Sequence, residues 1–279
     1  MKTSQDKAKI FSALHKNDDT FIMPNAWDSA SAIILANTGF KAIGTTSAGI
    51  AFSAGLSDHQ RMSKELMLEK IKEIVDVAGI PVNADLEAGY SENPEGVARI
   101  ITQAIDCGVS GVNIEDYTGD SAMPMYEFDV AVDRIRAAVS ASSDHDFTLT
   151  ARCDAYLTGH PKALEESIKR CNAYLEAGAD CMFVPGIADK KTISTILAEV
   201  PGPFNVVMGL SGNLLTKEDL TQCGVKRISV GGSIARATLE FVRKAGEEMM
   251  SKGTFSFANE QFGHGDLCQL FDEWPHHKK

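Results

Sequence analysis

The stretch PVNADLEAGY, residues 81–90, decides the fold of this chain. It begins as a β-strand, and Asn83, Asp85 and Glu87 occupy alternate positions in it. Because successive side chains of a strand point in opposite directions, these three polar groups share one face, and small apolar groups occupy the other. A strand with two carboxylates and an amide on one side needs a polar space on that side.

Short β-prone runs recur along the chain, each ending in polar or glycine residues and followed by an amphipathic helix. The eight candidate strands are FIMPNA (21–26), AIGTTS (42–47), VNADLE (82–87), GVNIED (111–116), LTARCD (149–154), CMFVPG (181–186), FNVVMG (204–209) and RISVGG (227–232). Two of the clearest intervening helices run from Ser63 to Val77 and from Ala163 to Ala177.

Eight βα units in roughly 250 residues predict an α/β protein with a (β/α)8 TIM-type barrel. An open doubly wound sheet is the alternative, but PNAWDSA after the first strand lacks a dinucleotide-binding glycine fingerprint. We predict one domain over residues 1–279, with the barrel at about 21–252. FANEQF and DLCQLFDEW predict extra C-terminal helices at about 255–274, which pack on another element or on another subunit.

The composition limits the class of protein. The chain has 279 residues, 44% of them hydrophobic, and a net charge of −11, with no basic patch for a nucleic-acid partner. It contains no apolar run long enough to span a bilayer and no signal-peptide core at its N-terminus. Six scattered cysteines without paired spacing indicate free thiols in a reducing cytoplasm, so the sequence predicts a cytoplasmic protein with no membrane partner.

Polar residues gather at the predicted carboxyl ends of the strands, where barrel enzymes build their active sites. The set comprises Thr45, Thr46, Ser47, Asp58, Asp85, Glu87, Glu115, Asp116, Arg152 and Asp154. Several carboxylates that face one cavity repel one another, and a divalent cation relieves that repulsion. Oxygen ligands without histidine or cysteine favour Mg2+ or Mn2+, held by one or two carboxylates and by waters.

Some of these residues have a second interpretation. Asp116 and Asp154 are also typical turn formers or helix caps. Arg152 is either a structural partner of the acids or a bidentate clamp for a substrate carboxylate, and we favour the clamp. SVGGSIARA, which follows the last strand, predicts either an anion cradle at a helix start or simple turn chemistry.

With these motifs assembled, residues 21–250 resemble the isocitrate lyase / phosphoenolpyruvate mutase superfamily. The matching segments are DLEAGY (85–90), GVNIED (111–116), ARCDA (151–155) and the upstream GFKAIGTTSAG…GLSD (39–58). The resemblance implies a Mg2+-dependent reaction at a carbon next to a 2-oxo acid, through a pyruvate enolate. It also implies a homo-oligomer, a dimer or tetramer, with a C-terminal helix that neighbouring subunits exchange.

The resemblance also implies residue roles. Asp85 is similar to the direct metal ligand, and Asp58, Glu87 and Glu115 resemble the acids that hold the waters bound to the metal. Substrate binding is implied for Thr46, Ser47, Ala48 and Arg152, and participation in catalysis for Arg152, Glu115 and Asp58.

The segment Tyr117–Tyr126 departs from the family, because it has no counterpart of the lyase Lys-Lys/Arg-Cys-Gly-His loop. This absence argues against isocitrate and methylisocitrate cleavage themselves. Thr118, Asp120 and Tyr126 remain candidate acid–base groups, as do His59 and His160 outside the loop. Substrate specificity is expected to lie in this loop and in GLSGN (209–213).

The sequence therefore predicts a lyase for a small 2-oxo or 2-hydroxy carboxylate, of the oxaloacetate decarboxylase or 2-methylisocitrate/dimethylmalate lyase type. One alternative is a P–C bond enzyme, either a phosphonopyruvate hydrolase or a carboxyphosphonoenolpyruvate-type mutase. The other is a non-catalytic binder of 2-oxo acids.

Overall fold

A computed structural model describes residues 2–210 and 214–275. The strands are β1 Phe21–Met23, β2 Asn25–Ala26, β3 Ile43–Thr45, β4 Val82–Asp85, β5 Gly111–Glu115, β6 Thr148–Arg152, β7 Cys181–Phe183, β8 Phe204–Val207 and β9 Arg227–Ser229. The helices are α1 Ser4–Lys16, α2 Ser29–Asn37, α3 Ser47–Ser53, α4 Lys64–Ala78, α5 Pro94–Asp106, α6 Phe128–Ser142, α7 Ala163–Glu176, α8 Lys190–Glu199, α9 Lys217–Gln222, α10 Ser233–Lys252, the 3-10 helix η1 Ser256–Glu260 and α11 His264–Glu273.

The strands form one parallel barrel surrounded by helices. The order is β1-β9-β8-β7-β6-β5-β4-β3-β2, and every neighbouring pair runs in parallel. Strands β1 and β2 are two halves of the predicted first strand, so the sheet closes through residues 21–26. The predicted TIM-type barrel is confirmed, and all eight predicted strands are present.

The first strand is split at Pro24, which has no N–H to donate. Asn25 joins the two ends of the sheet at this point. Its Oδ1 accepts hydrogen bonds from the backbone N–H groups of Val230 (3.0 Å) and Gly231 (2.9 Å). Its Nδ2 donates to the carbonyl of Thr45 at 2.7 Å. The buried side chain of Asn25 therefore supplies the hydrogen bonds between the two ends of the sheet, where backbone pairing between strands is interrupted.

Helix α4 shows how the sequence positions the outer layer. Ser63 caps its N-terminus by accepting from Leu66 N at 3.3 Å, and Gly79 ends it in the left-handed conformation with φ 70°. Its buried apolar residues recur at helical spacing and face the barrel: Met67, Ile71, Ile74, Val75 and Ala78. The predicted helices at 63–77 and 163–177 correspond to α4 and α7.

The interior of the barrel is polar, as the alternation in β4 predicts. Asn83 Nδ2 donates to Asn113 Oδ1 at 3.0 Å, so these strand residues do share the inner face. Arg227 is fully buried in the same interior and donates to Thr150 Oγ1 at 2.9 Å.

Helix α1 packs against this interior through His15, which is 5% exposed. His15 Nδ1 lies 2.9 Å from the carbonyl of Phe11, so it is the donor, and Nε2 accepts from Arg227 Nη1 at 3.2 Å. Burial, followed by the Arg227 guanidinium, lowers the pKa of His15 to about 3. Sequence patterns did not predict this contact.

The C-terminal extension folds as η1 and α11. Leu270, Phe271 and Trp274 pack against the barrel core, and Trp274 Nε1 donates to the carbonyl of Val77 at 2.7 Å. Exchange of a helix between subunits stays a prediction. None of the helices in the described ranges is long and apolar enough to cross a membrane. All six cysteines are free thiols, as predicted.

Candidate active site

The predicted site residues lie at or just beyond the carboxyl ends of β3 to β6, where they form two groups. The first group contains Ser47, Asp58 and Asp85. The second contains Glu115, Arg152 and Asp154. Glu87 belongs to neither group, since its carboxylate accepts hydrogen bonds from Gln60 in the loop after α3 and from Tyr90 in its own turn.

Asp85 ends β4 and is the centre of the first group. Its Oδ2 accepts from the backbone N–H of Ser47 at 3.2 Å and from the Ser47 hydroxyl at 3.0 Å. The same hydroxyl lies 3.4 Å from Asp58 Oδ1. Asp85 Oδ1 is buried and has no hydrogen-bond partner within residues 2–210 and 214–275. A buried carboxylate oxygen without a partner is costly and needs an explanation.

Glu87 lies beyond the end of β4, in a turn, and not within the predicted strand. Its Oε2 accepts from Gln60 N at 2.6 Å, and its Oε1 accepts from the Tyr90 hydroxyl at 2.8 Å. Burial and then the nearby Asp85 carboxylate raise the pKa of Glu87 to about 7, against the opposing effect of these hydrogen bonds.

The loops around Glu87 hold unusual backbone conformations. Four non-glycine residues with positive φ are found in the described chain, at His59 (68°), Gln60 (55°), Glu87 (51°) and Tyr90 (52°). All four belong to the two loops that Glu87 joins. Such conformations cost free energy and tend to occur at functional sites.

Arg152 ends β6 directly opposite Glu115 of β5. Its Nη1 lies 2.7 Å from Glu115 Oε2, while Nη2 and Nε donate to Asp154 Oδ1 at 2.7 Å and 3.0 Å. Burial alone would lower the pKa of Arg152, but the carboxylates of Asp154 and Glu115 outweigh it and raise the pKa. Burial also raises the pKa of Asp154 to about 6, despite its ion pair with Arg152.

Asp116 lies next to this group but turns away from it. It accepts from Asp154 N at 2.8 Å, from Tyr174 Oη at 2.7 Å and from Arg170 Nη1 at 3.2 Å. Asp116 is therefore a buried structural hub and not a site carboxylate. Asp154 has both roles: its carbonyl accepts from Thr158 N at 2.9 Å and begins a turn, while its side chain pairs with Arg152.

The segment 46–48 begins α3. The Thr46 N–H donates to the carbonyl of Ala26 at 3.1 Å, so this amide is used by the sheet. The donors of Ser47 point at Asp85. The N–H of Ala48 has no partner among the described residues and is available to a ligand.

The turn between β9 and α10 does not form the anion cradle that SVGGSIARA suggested. Two of its amides, at Val230 and Gly231, already donate to Asn25, and the Ser233 hydroxyl donates back to the carbonyl of Val230. Turn chemistry, the other interpretation, accounts for this segment.

The segment 117–126 forms a short hairpin across the site. Tyr117 pairs with Met125, and Thr118 N donates to the carbonyl of Pro124 at 3.0 Å. Two arginines that sequence reasoning missed hold its base. Arg134 stacks on Tyr126, with 4.0 Å from the guanidinium carbon to the ring centroid, and Arg170 Nη2 donates to the Tyr126 carbonyl at 2.9 Å. Arg134 could have been found from the sequence, because it lies among the apolar positions of its helix and a buried arginine needs a partner.

Two cavities adjoin the hairpin. The Arg152 cavity, of about 330 Å³, is lined by residues that include His59, Tyr117, Pro124, Arg152, Asp154 and Leu157. The Arg61 cavity, of about 610 Å³, is lined by residues that include Asp58, His59, Arg61, Glu92, Tyr117 and Asp120. His160 lines neither cavity. Residues 211–213 of the predicted specificity segment lie outside the described residues.

The donor set fits a hard divalent cation. Across the described ranges no three His, Cys, Asp or Glu side chains converge closely enough to form a complete metal cage. Asp85 nevertheless presents a free buried oxygen, and the neighbouring acids Glu87 and Asp154 have raised pKa values. These features match a site with one direct carboxylate, in which waters complete the coordination.

The chain is similar in sequence and in overall fold to proteins of known class. A family model described as phosphoenolpyruvate phosphomutase matches residues 11–250. A solved Burkholderia cenocepacia structure, assigned as a lyase or mutase, is 44% identical, covers 96% of each chain and has a TM-score of 0.93. The 2,3-dimethylmalate lyase of Eubacterium barkeri is 30% identical over 73% of this chain and 72% of its own. Oxaloacetate acetylhydrolase, solved with its product oxalate, is 25% identical, covers 98% of this chain and 96% of its own, and has a TM-score of 0.85.

Proposed function

Since this chain belongs to the phosphoenolpyruvate phosphomutase family, we propose that it is a Mg2+-dependent lyase that cleaves a C–C bond in a small 2-oxo or 2-hydroxy carboxylate. With oxaloacetate the reaction would pass through the enolate of pyruvate, whereas with 2,3-dimethylmalate pyruvate would leave and the electron pair would stay on the propionate fragment. Oxaloacetate and 2,3-dimethylmalate are the substrate types that the similar enzymes support. Mn2+ is the alternative cation, because it accepts the same oxygen ligands.

The free Oδ1 of Asp85 is the observation that carries this proposal. Its companion Oδ2 is held by Ser47, so the carboxylate is oriented while one oxygen stays available. Asp85 would be the direct ligand, and Asp58, Glu87 and Glu115 would hold waters of the cation. A bound Mg2+ supplies Lewis-acid stabilisation of the negative charge that develops on the substrate oxygen.

The chain's own groups bind and orient the substrate. A guanidinium has five N–H donors, and Arg152 uses three contacts on Glu115 and Asp154. The remaining donors of Arg152, the amide of Ala48 and the hydroxyl of Thr46 would bind the substrate carboxylate, while the Ser47 hydroxyl stays on Asp85.

In decarboxylation of oxaloacetate, the C3–C4 bond breaks, C4 leaves as CO2, and the electron pair of the broken bond moves onto the oxygen of the 2-oxo group, which gives the enolate of pyruvate. Fixed donors next to that oxygen, Arg152 foremost, lower the barrier because they need no reorganisation. Glu115 holds Arg152 in place, and Asp58 keeps the Ser47 hydroxyl oriented. The enolate carbon then takes a proton from water.

A P–C bond enzyme is the second candidate, and two observations count against it. The hairpin contains no lysine or asparagine to act on a phosphonate. The amides of Val230 and Gly231, the phosphate site suggested by sequence, are occupied by Asn25. A non-catalytic binder is disfavoured because Asp85, Glu115 and Arg152 are all retained, with Arg152 paired to Glu115 and Asp85 held by Ser47.

The test is pyruvate release from oxaloacetate, 2,3-dimethylmalate, 2-methylisocitrate and phosphonopyruvate, each with Mg2+ and with a chelator. We expect metal-dependent pyruvate from oxaloacetate or 2,3-dimethylmalate. Release from phosphonopyruvate alone would transfer the protein to the P–C class. No pyruvate from any substrate would leave a mutase or a binder; Mg2+-dependent oxalate binding without conversion of any substrate to another product would identify a binder.

A further inference from the structure

The wall between the two cavities of the site consists of two aromatic rings. His59 and Tyr117 are the residues that line both the Arg152 cavity and the Arg61 cavity. Their ring centroids lie 5.2 Å apart at an interplanar angle of 61°, an edge-on contact. The rings come from different segments, His59 from the loop after α3 and Tyr117 from the hairpin.

Each ring is held by its own segment. His59 and Gln60 both have left-handed backbones, and the Gln60 N–H donates to Glu87 Oε2 at 2.6 Å. Tyr117 begins the hairpin through its pairing with Met125. The wall is therefore positioned by the backbone on both sides, and its side chains need no hydrogen bond of their own to stay in place.

The two cavities differ in what they accept. On the Arg152 side, Pro124 and the half-exposed Leu157 provide apolar surface close to the rings. Arg152 is the only permanent cation among the residues lining that side, and it already faces two carboxylates. The space next to the wall therefore suits a short apolar substituent and disfavours an additional carboxylate.

Beyond the wall the balance of charge is negative. Arg61 is the only Lys or Arg among the residues lining the Arg61 cavity, against three acids: Asp58, Glu92 and Asp120. An anionic group that reached past the rings would meet net repulsion. A longer neutral chain would have room there if the rings were absent.

We propose that the His59–Tyr117 pair sets the substrate length of this enzyme. Apart from the group that is cleaved off, it restricts C3 of the substrate to hydrogen or a short alkyl group, and it therefore excludes tricarboxylates. This inference rests on the proposed function, because it takes the substrate's 2-oxo acid end to lie at Arg152.

The test measures binding of a homologous series by calorimetry in the presence of Mg2+: pyruvate, 2-oxobutanoate and 2-oxohexanoate. In the parent protein we expect the affinity for 2-oxohexanoate to be at least about tenfold below that for 2-oxobutanoate, the scale of a steric limit in a shaped pocket. Tyr117→Ala and His59→Gly should each remove most of that difference. Glycine at position 59 keeps the left-handed backbone without strain.

Tyr117→Phe is the matched control, because it keeps the ring and loses only the hydroxyl; its chain-length preference should equal that of the parent. If both Tyr117→Ala and His59→Gly kept the chain-length preference of the parent, the proposal that these rings limit substrate length would be wrong. Pyruvate release from oxaloacetate is measured on the same preparations. A changed binding preference without turnover in the parent would uphold the wall and overturn the proposed lyase.

Discussion

Arg152 Nη1 lies 2.7 Å from Glu115 Oε2, across the directly paired ends of β6 and β5. The pair is buried, since the side chains are 18% and 6% exposed. The Glu115 charge is therefore stabilised by Arg152, whereas the Arg152 charge is stabilised by both Glu115 and Asp154. Removing one partner leaves an uncompensated charge in a poorly solvated place.

Substitution of Arg152 by alanine tests both roles of this side chain. We expect affinity for oxalate, measured with Mg2+ present, to fall by at least about 100-fold, because a bidentate charged contact is lost. The free energy of unfolding should fall by about 3–5 kcal/mol, since Glu115 loses its partner. Calorimetry and urea denaturation measure the two quantities.

Arg136→Ala is the control, because Arg136 is an exposed arginine on α6 that contacts only Asp133. It should change neither quantity by more than about 0.5 kcal/mol. If Arg152→Ala lost stability but bound oxalate like the parent, Arg152 would be a structural partner of the acids and not a substrate ligand.

Substitution of Asp85 by asparagine tests the metal site. The shape and one carbonyl oxygen are kept, but the negative charge that a hard cation requires is removed. We expect Mg2+ affinity to fall beyond detection in a calorimetric titration and metal-dependent pyruvate release to be lost. Asp133→Asn, on the exposed face of α6, should titrate like the parent. Equal Mg2+ binding by Asp85→Asn would remove Asp85 from the ligand set.

Periodicity was enough to predict the barrel, because each strand carries an apolar or alternating run and each helix an apolar stripe. The parity of β4 correctly placed Asn83 and Asp85 on the inner face. It failed for Glu87, because the strand ends at Asp85 and a left-handed turn then reorients the chain. Strand alternation stops being informative where the ladder of hydrogen bonds stops.

The contacts between distant segments were beyond sequence reasoning. Nothing in the local pattern indicates that Asp116 meets Tyr174, or that Asn25 binds the turn after β9. Both depend on tertiary packing, which brings residues more than 50 positions apart into hydrogen-bond distance, and the Asn25 contact depends in addition on closure of the barrel. The same holds for the contact of His59 with Tyr117.

Substitution of Asn25 by alanine tests the closure of the barrel. The change leaves the N–H groups of Val230 and Gly231 and the carbonyl of Thr45 without their partner. At about 1–3 kcal/mol for each unsatisfied buried group, we expect a loss of at least 3 kcal/mol in the free energy of unfolding. Urea denaturation measures this loss of stability, and Asn37→Ala, at an exposed position of α2, is the control. A loss below about 1 kcal/mol would mean that solvent replaces these hydrogen bonds.

His15 provides a pH-dependent prediction at the opposite end of the barrel. Burial is the main cause that lowers the pKa of His15 from 6.5 to about 3, and the cations Arg227 and then Lys226 add to its effect. Between pH 6.5 and about 3, His15 therefore binds a proton in the unfolded chain but stays neutral in the folded chain. Stability supplied by neutral His15 is complete above pH 6.5 and is lost as the pH falls toward 3.

His15→Gln keeps a donor for the Phe11 carbonyl and an acceptor for Arg227, but it does not titrate. We expect the parent to lose up to about 1.4 kcal/mol of unfolding free energy per pH unit below pH 6.5, relative to this variant. Urea denaturation at pH 7, 6 and 5 measures the difference, and other titrating groups cancel because both proteins carry them. His145→Gln, at an exposed histidine, should follow the parent at every pH. Parallel pH profiles for the parent and His15→Gln would show that His15 accepts a proton without leaving its place beside Arg227.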